Sequence, residues 1–264
     1  MKNYDNLKIA NEEDKLFIAK IINKLEQRDL KNKITSTDFL NLHEKRLCED
    51  LIKKEKIKNY KITGCYEDAE RTVVIFYPDK LENYIDRYID QLFCVIRIEL
   101  PKFQNKYTHR DYLGGIMKLG IKREKIGDIM VFDDGADIIV GTDIADYLID
   151  ELKKLTRFKK SNIKKVSIMN LRIAIQNKEC IELIVSSYRI DTILSEILRI
   201  SRTKATQIIK EERVFINSVL CINPSKNLLL NDIITIRGKG KFELKEECGC
   251  TKKGNIKIIV LKYV

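Results

Sequence analysis

The fold is decided by the stretch from Arg189 to Gly240, RIDTILSEILRISRTKATQIIKEERVFINSVLCINPSKNLLLNDIITIRGKG. Apolar residues recur at helical spacing behind Asp191 and again behind Ser201, and both of these residue types can cap a helix N-terminus. The period then changes to alternation at Val214–Ile216, followed by a turn signal at Asn217-Ser218. The stretch therefore predicts two short helices, capped by Asp191 and Ser201, and backed by a small antiparallel sheet.

Basic residues accompany both parts of this stretch. Arg202 and Lys210 share one face of the second predicted helix, and Gly238–Lys241 follows the predicted strand Ile233–Arg237. Arginine can form a fork on phosphate, lysine supplies a mobile charge, and a helix N-terminus offers free N–H groups. A solvated charged face on an ordinary α+β unit explains the charge equally well, so charge alone leaves both interpretations open.

The segment resembles the S4 domain, an RNA-binding module first described in a small-subunit ribosomal protein. The matching landmarks, in order, are Arg189-Ile190-Asp191, Ser201-Arg202 before Ala205, Ile209-Lys210, Val214-Phe215-Ile216-Asn217, Asn223-Pro224-Ser225, and Asp232-Ile233-Ile234 before Arg237-Gly238. The S4 family has glycine at three positions where Glu212, Ser218 and Asn231 stand here. Because side chains other than glycine adopt positive φ less readily, we expect adjusted turns at these positions.

Charge points to a polyanionic partner. The 264-residue chain is long enough for two or three modest domains, and it carries a net charge of +11. Cys180–Val264 contains 15 Lys/Arg and 9 Asp/Glu, so more than half of the positive excess lies in the last third. Basic proteins bind nucleic acid partly through counterion release. A lysine content set by AT-rich codons is the alternative explanation.

Cysteine usage and hydropathy indicate the compartment. The chain has seven cysteines, no apolar leader behind Met1, and no run long enough to span a membrane, so we predict a cytoplasmic protein with reduced thiols. Cys248-Gly249-Cys250 has the spacing of half a zinc site, but the chain holds only two histidines. The prediction is free thiols in a loop, with no metal, cofactor or small-molecule substrate.

The fold class predicted for the whole chain is α+β with three domains: a mostly helical domain at 1–70, a middle domain at 71–179, and the S4-like domain at 180–264. In the first, Thr35–Leu40 is predicted to cap a second helix. In the middle domain, the pattern predicts strands at Phe93–Leu100, Asp128–Phe132, Ala136–Val140 and Lys165–Ile173, with helices at His109–Leu119 and from a cap at Thr142 to about Leu155. This β-α-β-β-α-β order is ferredoxin-like and is used by RNA-recognition domains, but base-stacking aromatics are not evident, so we expect a scaffold role.

Further motifs extend the resemblance over nearly the whole chain. His109-Arg110-Asp111 evokes a kinase catalytic loop, but that motif needs Asn where Ile116 stands, so we reject this interpretation. The segment Tyr107–Ile129 instead resembles the signature of the YlmH family, bacterial S4-domain proteins often encoded beside cell-division genes. Thr37–Leu40, Gly64–Arg71, Gly238–Phe242 and Thr251–Gly254 are similar to the other motifs of that family.

The resemblance implies a non-catalytic role in ribosome-associated quality control. Such a protein would bind ribosomal RNA and tRNA on a large subunit that still holds peptidyl-tRNA, and would assist a tail-extending quality-control factor. Arg202, in the Ser-Arg motif at a helix start, is the expected main contact. The full set of expected RNA-binding residues is Arg189, Ser201, Arg202, Lys204, Lys210, Arg213, Asn217, Arg237, Lys239, Lys241, Lys252 and Lys253. Within this set, the four lysines expected to contact phosphate from loops are Lys239, Lys241, Lys252 and Lys253. Asp191 and Ser201 fit capping better than RNA contact, whereas Asn217 fits either role.

Two other classes of function remain open as alternatives. S4 domains also occur on RNA-modifying enzymes, but a pseudouridine-synthase motif outside this stretch, a methyltransferase glycine turn and synthetase nucleotide motifs are missing. We therefore predict that the chain is not an enzyme and has no catalytic residue. The gene neighbourhood typical of the family favours a second alternative, an adaptor protein linked to cell division.

Overall fold

The computed structural model describes residues 12–102, 106–174 and 177–264, and the chain forms two compact units, Met1–Ala174 and Ile175–Val264. The predicted boundary at 179/180 lies a few residues from the division between the units. The predicted boundary at 70/71 lies inside the first unit and stays a prediction. The predicted helical character of residues 1–11 lies outside the described residues.

The N-terminal part of the first unit combines two helices with a three-stranded sheet. Its elements are α1 (Glu12–Lys31), β1 (Thr35–Ser36), α2 (Leu42–Lys54), β2 (Tyr60–Thr63) and β3 (Val73–Phe76), and the antiparallel sheet has the order β1-β3-β2. The prediction that Thr35–Leu40 caps a helix was wrong, because Thr35 and Ser36 pair with β3. Asn41 caps α2 instead: its side chain accepts from the Glu44 N–H at 3.0 Å, and Glu44 accepts from the Asn41 N–H at 2.7 Å.

Strand β3 is the centre of this region because both of its faces are buried. Val74 and Phe76 pack under α1 and α2, while Val73 and Ile75 pack against Phe93 and its neighbours in the next part of the unit. A fully buried strand reads as a continuous apolar run, and Val-Val-Ile-Phe is such a run. This run identifies β3 in the sequence, whereas its partners β1 and β2 were not predicted.

The second part of the first unit follows the predicted β-α-β-β-α-β order. Behind a 3₁₀ turn at Asp79–Tyr84 come α3 (Ile85–Leu92), β4 (Phe93–Glu99), α4 (His109–Lys118), a 3₁₀ turn at Arg123–Lys125, β5 (Ile126–Phe132), β6 (Gly135–Gly141), α5 (Thr142–Lys154), β7 (Asn162–Ser167) and a 3₁₀ turn at Ile168–Asn170. The predicted strand Lys165–Ile173 was placed too late, because the Ser167 side chain accepts from the Met169 N–H and starts a turn. Thr142 does not cap α5 either, since its hydroxyl donates to the Gln91 carbonyl at 2.9 Å.

Both faces of this antiparallel sheet, of order β5-β6-β4-β7, are covered at its centre. Ile96 and Ile138 pack under α4 and α5 on one face. Val95 and Ile139 on the other face pack against a cluster that includes Phe39. All four of these strand residues are fully buried. Side chains of the same unit therefore cover both faces of the central strands, where a nucleotide base would otherwise stack.

Two of the sequence motifs meet at one buried carboxylate. Asp128 accepts from the Tyr66 hydroxyl at 2.7 Å, from the Glu70 N–H at 2.8 Å and from the Arg71 N–H at 3.2 Å, while the Arg71 Nε donates to the Ile126 carbonyl at 3.1 Å. Burial raises the pKa of Asp128, although the Tyr66 hydrogen bond opposes this rise. These contacts give the Gly64–Arg71 motif a structural role, since they tie it to β5.

The second unit contains the two predicted helices and a six-stranded antiparallel sheet. Its elements are β8 (Lys178–Val185), α6 (Ile190–Leu198), α7 (Arg202–Lys210), β9 (Val214–Ile216), β10 (Val219–Leu220), β11 (Ile233–Ile236), β12 (Gly240–Cys250) and β13 (Ile256–Tyr263), in the sheet order β10-β9-β11-β12-β13-β8. The strands β8, β12 and β13 were not predicted from the sequence. Its prediction of a loop around Cys248 and Cys250 was wrong, because both residues lie in β12, where Cys250 pairs with Ile256.

The three residues that stand where the S4 family has glycine all adopt left-handed backbone. Glu212 has a φ of 58°, Ser218 of 71° and Asn231 of 67°, so the expectation of adjusted turns was wrong. This conformation costs a side chain other than glycine about 1–2 kcal/mol, because the Cβ approaches the following carbonyl oxygen. The second unit therefore carries local strain in the turn at Glu212, two residues behind the end of α7.

Candidate nucleic-acid interface

The centre of the candidate interface is a carboxylate held by two arginines. Asp191 is buried, and its Oδ1 and Oδ2 accept from Arg189 Nε at 3.1 Å and Nη2 at 2.8 Å. Arg202 Nη2 donates to the same Oδ2 at 2.8 Å. The predicted cap role of Asp191 was wrong, because α6 begins at Ile190 with Arg189 at the N-cap, and the Asp191 side chain faces the arginines instead.

The two arginines are fixed and accessible at once. The hydrogen bonds from Arg189 and the charge of Arg202 hold the pKa of Asp191 well below its usual range, against the opposing effect of burial. Asp191 is therefore ionised at neutral pH and keeps the two arginines together. The side chains of Arg189 and Arg202 are nevertheless 38% and 53% exposed. A guanidinium has five N–H donors, so each retains donors for an incoming phosphate.

Helix α7 contributes its start and its end. The Ser201 hydroxyl accepts from the Lys204 N–H at 3.3 Å, which confirms the predicted cap. Lys204 lies in the first turn, beside Arg202, and Lys210 is the last residue of the helix; both are exposed. The N-terminal turn of α7 thus adds its own N–H groups and a mobile charge to the arginine pair.

A second basic group lies where the end of α7 leads into the sheet. The Arg237 guanidinium lies over the Phe215 ring at 4.7 Å, and Arg213 Nη2 donates to the Arg237 carbonyl at 3.1 Å. Arg213 also faces Glu211 at 3.6 Å. Lys239 is exposed in the turn that joins β11 to β12. Stacking on an aromatic ring and a backbone hydrogen bond restrict both arginines without burying them.

Asn217 belongs to the interior of a turn. Its side chain is buried, its amide donates to Asp232 Oδ1 at 2.6 Å, and its carbonyl oxygen accepts from the Ile233 N–H at 2.9 Å. These bonds join the turn behind β9 to the start of β11. Of the two roles that the sequence left open for Asn217, the geometry accounts for the structural one.

The remaining lysines are spread along the β12–β13 hairpin. Lys241 was predicted in a loop, but it lies in β12 with its ammonium over the Tyr263 ring at 4.5 Å, because β12 begins at Gly240. Lys252 and Lys253 are exposed in the turn at the far end of the hairpin. At about 3.3 Å per strand residue, that turn is roughly 30 Å from Lys241. The predicted loop lysines therefore do not form one group.

The chemistry available elsewhere in the described ranges is limited. Within residues 12–102, 106–174 and 177–264, no group of three or more His, Cys, Asp or Glu residues is arranged to hold a metal ion. Burial raises the pKa of Cys48 and of Cys65 to about 12, so neither is a ready nucleophile. A helix of the length and apolar character needed to cross a membrane is likewise not found in this described part.

Comparison with known proteins identifies relatives of the chain. Residues 89–170 match the family model described as "Putative RNA-binding domain in YlmH". Over 220 residues, which are 82% of each chain, the sequence is 29% identical to "Ribosome-associated protein quality control protein P2" of Bacillus subtilis (strain 168). The chain is therefore similar to proteins of the YlmH family. A solved structure of the family, "Cell division protein ylmH from Streptococcus pneumoniae", is 22% identical, covers 59% of this chain and 92% of its own, and superimposes with a TM-score of 0.48.

The YlmH family model covers the middle of the chain, for which the sequence pattern predicted a scaffold role. The predicted RNA-binding residues include none from that region. A signal was present: Leu152–Ser161 holds the five cations Lys153, Lys154, Arg157, Lys159 and Lys160 and no acidic residue.

Proposed function

We propose that this protein is a non-catalytic RNA-binding protein of the cytoplasm. It binds ribosomal RNA and tRNA on the large ribosomal subunit, and it acts in ribosome-associated quality control of stalled peptidyl-tRNA complexes together with a quality-control factor. Support comes from the net charge of +11, from the RNA-binding description of the YlmH family model, and from the name of the Bacillus subtilis relative.

The proposal includes the finer fold assignments. The second unit is an S4 domain: the order α6-α7-β9 and the landmarks around Arg189, Ser201 and Asp232 support this assignment. The four-stranded part of the first unit is ferredoxin-like, since its first strand lies between its third and fourth strands in the sheet. With these assignments the domains are 1–70, 71–179 and 180–264.

The observation that carries the proposal is the arginine pair on Asp191. Two guanidinium groups that a buried carboxylate already orients lose little further side-chain freedom when they bind a phosphate. Arg202 is the main contact because it lies beside the free N–H groups at the start of α7. The further predicted contacts are Arg189, Lys204, Lys210, Arg213, Arg237, Lys239, Lys241, Lys252 and Lys253. Contacts of this kind read the path of the backbone rather than base identity.

Two side chains of types that can support catalysis, His43 and Asp128, have structural partners, which supports a positioning role. His43 contacts Asp14 at 2.8 Å between α1 and α2, and Asp128 is held by Tyr66 and two backbone N–H groups. A protein of this kind stabilises a tRNA state on the subunit and leaves bond formation to others.

Sedimentation with purified large subunits tests the proposal, with and without P-site tRNA and over a salt series. Wild-type protein should co-sediment, tRNA should strengthen binding, and Arg202→Ala should weaken it roughly tenfold or more. Arg202→Lys keeps the charge but loses the planar fork, so it should bind with intermediate strength. Lys257→Ala is the matched control, because it removes one exposed charge from β13 of the same unit.

Two results would count against the proposal. Wild type that stays in the supernatant at low salt would refute ribosome binding. Equal binding of wild type and Arg202→Ala would refute the arginine pair as the contact. Capture of a protein partner that persists after RNase treatment would favour the alternative function as a cell-division adaptor.

A further inference from the structure

A second basic surface lies in the first unit, at the end of α5. The segment Lys153–Lys160 carries five cations in eight residues, and the two flanking residues Leu152 and Ser161 are uncharged. Four of these cations, Lys153, Lys154, Lys159 and Lys160, are exposed. A charge run of this kind is often only a solvated face, so its geometry decides whether it can serve as a binding surface.

An aromatic cluster holds this segment in place. The Phe158 ring is fully buried and stacks on Tyr112, with ring centroids 5.5 Å apart and an interplanar angle of 7°. Tyr107 packs edge-on against Phe158 at 5.6 Å, and its hydroxyl donates to the Arg157 carbonyl at 3.1 Å. The backbone that carries Lys159 and Lys160 is thus anchored by the core residue directly before them.

Arg157 joins the segment to the first turn of α4. Its Nη1 donates to the Asp111 carbonyl at 2.6 Å, and its guanidinium lies 5.8 Å from the centre of the Tyr107 ring. Asp111 itself accepts from the Thr108 N–H and hydroxyl in the capping box of α4. Arg110, exposed in that same turn, is therefore next to the residue that Arg157 contacts.

Most of these cations are available to a ligand. Lys154 pairs with Glu151, whereas Lys153, Lys159, Lys160 and Arg110 make no ion pair within 4.0 Å among the described residues. The aromatic rings of the cluster are buried or partly covered rather than presented as stacking platforms. Such a surface suits the phosphates of a helix more than unstacked bases, because base reading in single strands relies on exposed aromatics.

The cover over the sheet points to the same side of the unit. RNA-recognition sheets use an open face, but here Val95 and Ile139 are buried beneath a cluster that includes Phe39. An accessible basic surface of the region matched by the YlmH family model lies on the helical side, at α4 and the end of α5.

We propose that Lys153, Arg157, Lys159 and Lys160, with Arg110, form a second RNA-binding surface that contacts the phosphate backbone of an A-form RNA helix. This inference rests on the proposed function and deepens it. The arginine pair of the second unit would contact the tRNA-bearing subunit, and the lysine surface of the first unit would contact a double-stranded segment of ribosomal RNA.

The test compares two triple variants of the full-length protein. Lys153→Gln/Lys159→Gln/Lys160→Gln removes three exposed charges from the proposed surface. Lys53→Gln/Lys54→Gln/Lys58→Gln is the matched control, because it removes three exposed charges from the end of α2 and the residues behind it in the same unit. All six side chains lie on the surface, so thermal unfolding should match wild type within a few degrees for both variants.

Fluorescence anisotropy with a blunt RNA duplex of about 16–20 base pairs, the length that double-stranded RNA modules span, provides the measurement over a salt series. The lysine-surface variant should bind the duplex at least tenfold more weakly at low salt, and the magnitude of its log–log salt slope should fall by about 2.7, which is about 0.9 for each lysine removed. The control should keep the wild-type slope. Equal slopes for wild type and the lysine-surface variant, or equal losses in both variants, would overturn the proposal.

Large-subunit sedimentation of the same proteins separates this failure from failure of the proposed function. If wild type binds subunits and Arg202→Ala does not, while the lysine-surface variant binds as wild type does, then the second surface is refuted and the proposed function stands. If wild type binds neither subunits nor duplex, both are refuted. If the lysine-surface variant binds subunits more weakly than wild type and the control triple variant does not, the second surface is supported.

Discussion

Each unit of the molecule contains a buried aspartate that holds two arginines, but the two arrangements differ in what they leave exposed. In the first unit Asp137 accepts from Arg97 at 2.9 and 2.7 Å, and from Arg172 Nε and Nη2 at 3.2 and 2.9 Å. The side chains of Arg97 and Arg172 are only 16% and 28% exposed. In the second unit the arginines on Asp191 are more than a third and more than half exposed, respectively.

The difference lies in the remaining donors. Arg172 also donates to both Asp134 oxygens at 2.9 Å and lies over the Phe132 ring, and Arg97 donates to the Asn170 carbonyl at 2.7 Å. The arginines on Asp137 thus use further N–H donors in contacts within the unit, whereas the arginines on Asp191 keep N–H donors exposed to solvent. The same ion-pair chemistry can therefore lock a fold or present a binding group, and exposure separates the two roles.

The largest effect should come from removing the charge at Asp137. Asp137→Asn leaves the poorly exposed Arg97 without its anion and leaves Arg172 only the exposed Asp134, so the free energy of unfolding should fall by about 3–5 kcal/mol. Urea unfolding followed by circular dichroism measures this loss. Asp133→Asn, in the exposed turn between β5 and β6, is the control and should change stability by at most about 1 kcal/mol. A small loss of unfolding free energy for Asp137→Asn would mean that Asp137 does not stabilise its unit more than Asp191 stabilises the other.

Lower pH should weaken the contribution of Asp191. Its pKa is held below the unfolded value, chiefly by the Arg189 hydrogen bonds, so its stabilising contribution is complete above the unfolded pKa and is lost as pH falls below about 4. Asp191→Asn should destabilise the protein by about 1–3 kcal/mol at neutral pH. This difference from wild type, measured by urea unfolding, should shrink steadily between about pH 5 and pH 3.

A difference between wild type and Asp191→Asn that stayed constant down to pH 3 would contradict this titration. Asp133→Asn serves again as control, since its exposed carboxylate should leave the stability difference from wild type small at every pH. The pKa of Asp137 is also lowered, because the hydrogen bonds from Arg97 and Arg172 outweigh its burial. Wild-type stability should therefore decline over the same range in both units.

Arg202 sharpens the comparison from the binding side. Because Asp191 keeps its bidentate partner Arg189, Arg202→Ala should lower the free energy of unfolding by less than about 1 kcal/mol, although it should weaken subunit binding severely. Arg97→Ala should show the reverse pattern, with a larger stability loss and unchanged RNA affinity at temperatures where the variant is folded. Thermal unfolding and binding to the duplex or the subunit should be measured for both variants. These measurements would show whether Arg202→Ala loses mainly binding and Arg97→Ala loses mainly stability.

The smallest effect concerns the strained turn at Glu212, which follows the end of α7 in the second unit. Glu212→Gly places a permissive residue at a φ of 58°, so stability should rise by about 0.5–1 kcal/mol while RNA affinity stays the same. Asp68→Gly is the matching change in the first unit, where Asp68 has a φ of 60°. If Glu212→Gly destabilises the protein, the Glu212 side chain contributes more to stability than its left-handed backbone conformation costs.

Much of the fold could be predicted where the pattern is local. The helices of the second unit, the Ser201 cap and the order of strands and helices behind Phe93 all follow from periodicity and capping within a few residues. The apolar, β-branched run within Ile256–Tyr263 was a further strand signal that was not used in the prediction. The strand β1 could not be predicted, because Thr35 and Ser36 become a strand only through pairing with β3, about forty residues away.

Local sequence is enough to identify the charged residues, the helices α6 and α7, and the family that the motifs resemble. The roles of these residues follow from contacts made in the folded chain. Asp191 and Asp137 have the same chemistry, and local sequence makes the first look like a cap. Burial and the arginine partners, which are near Asp191 in sequence but 35 and 40 residues from Asp137, set the role of each. Residues such as Phe39 cover the middle sheet, and this contact also joins residues that are far apart in sequence. Exposure and pairing depend on contacts between segments remote in sequence, and these contacts decide which arginines can reach RNA.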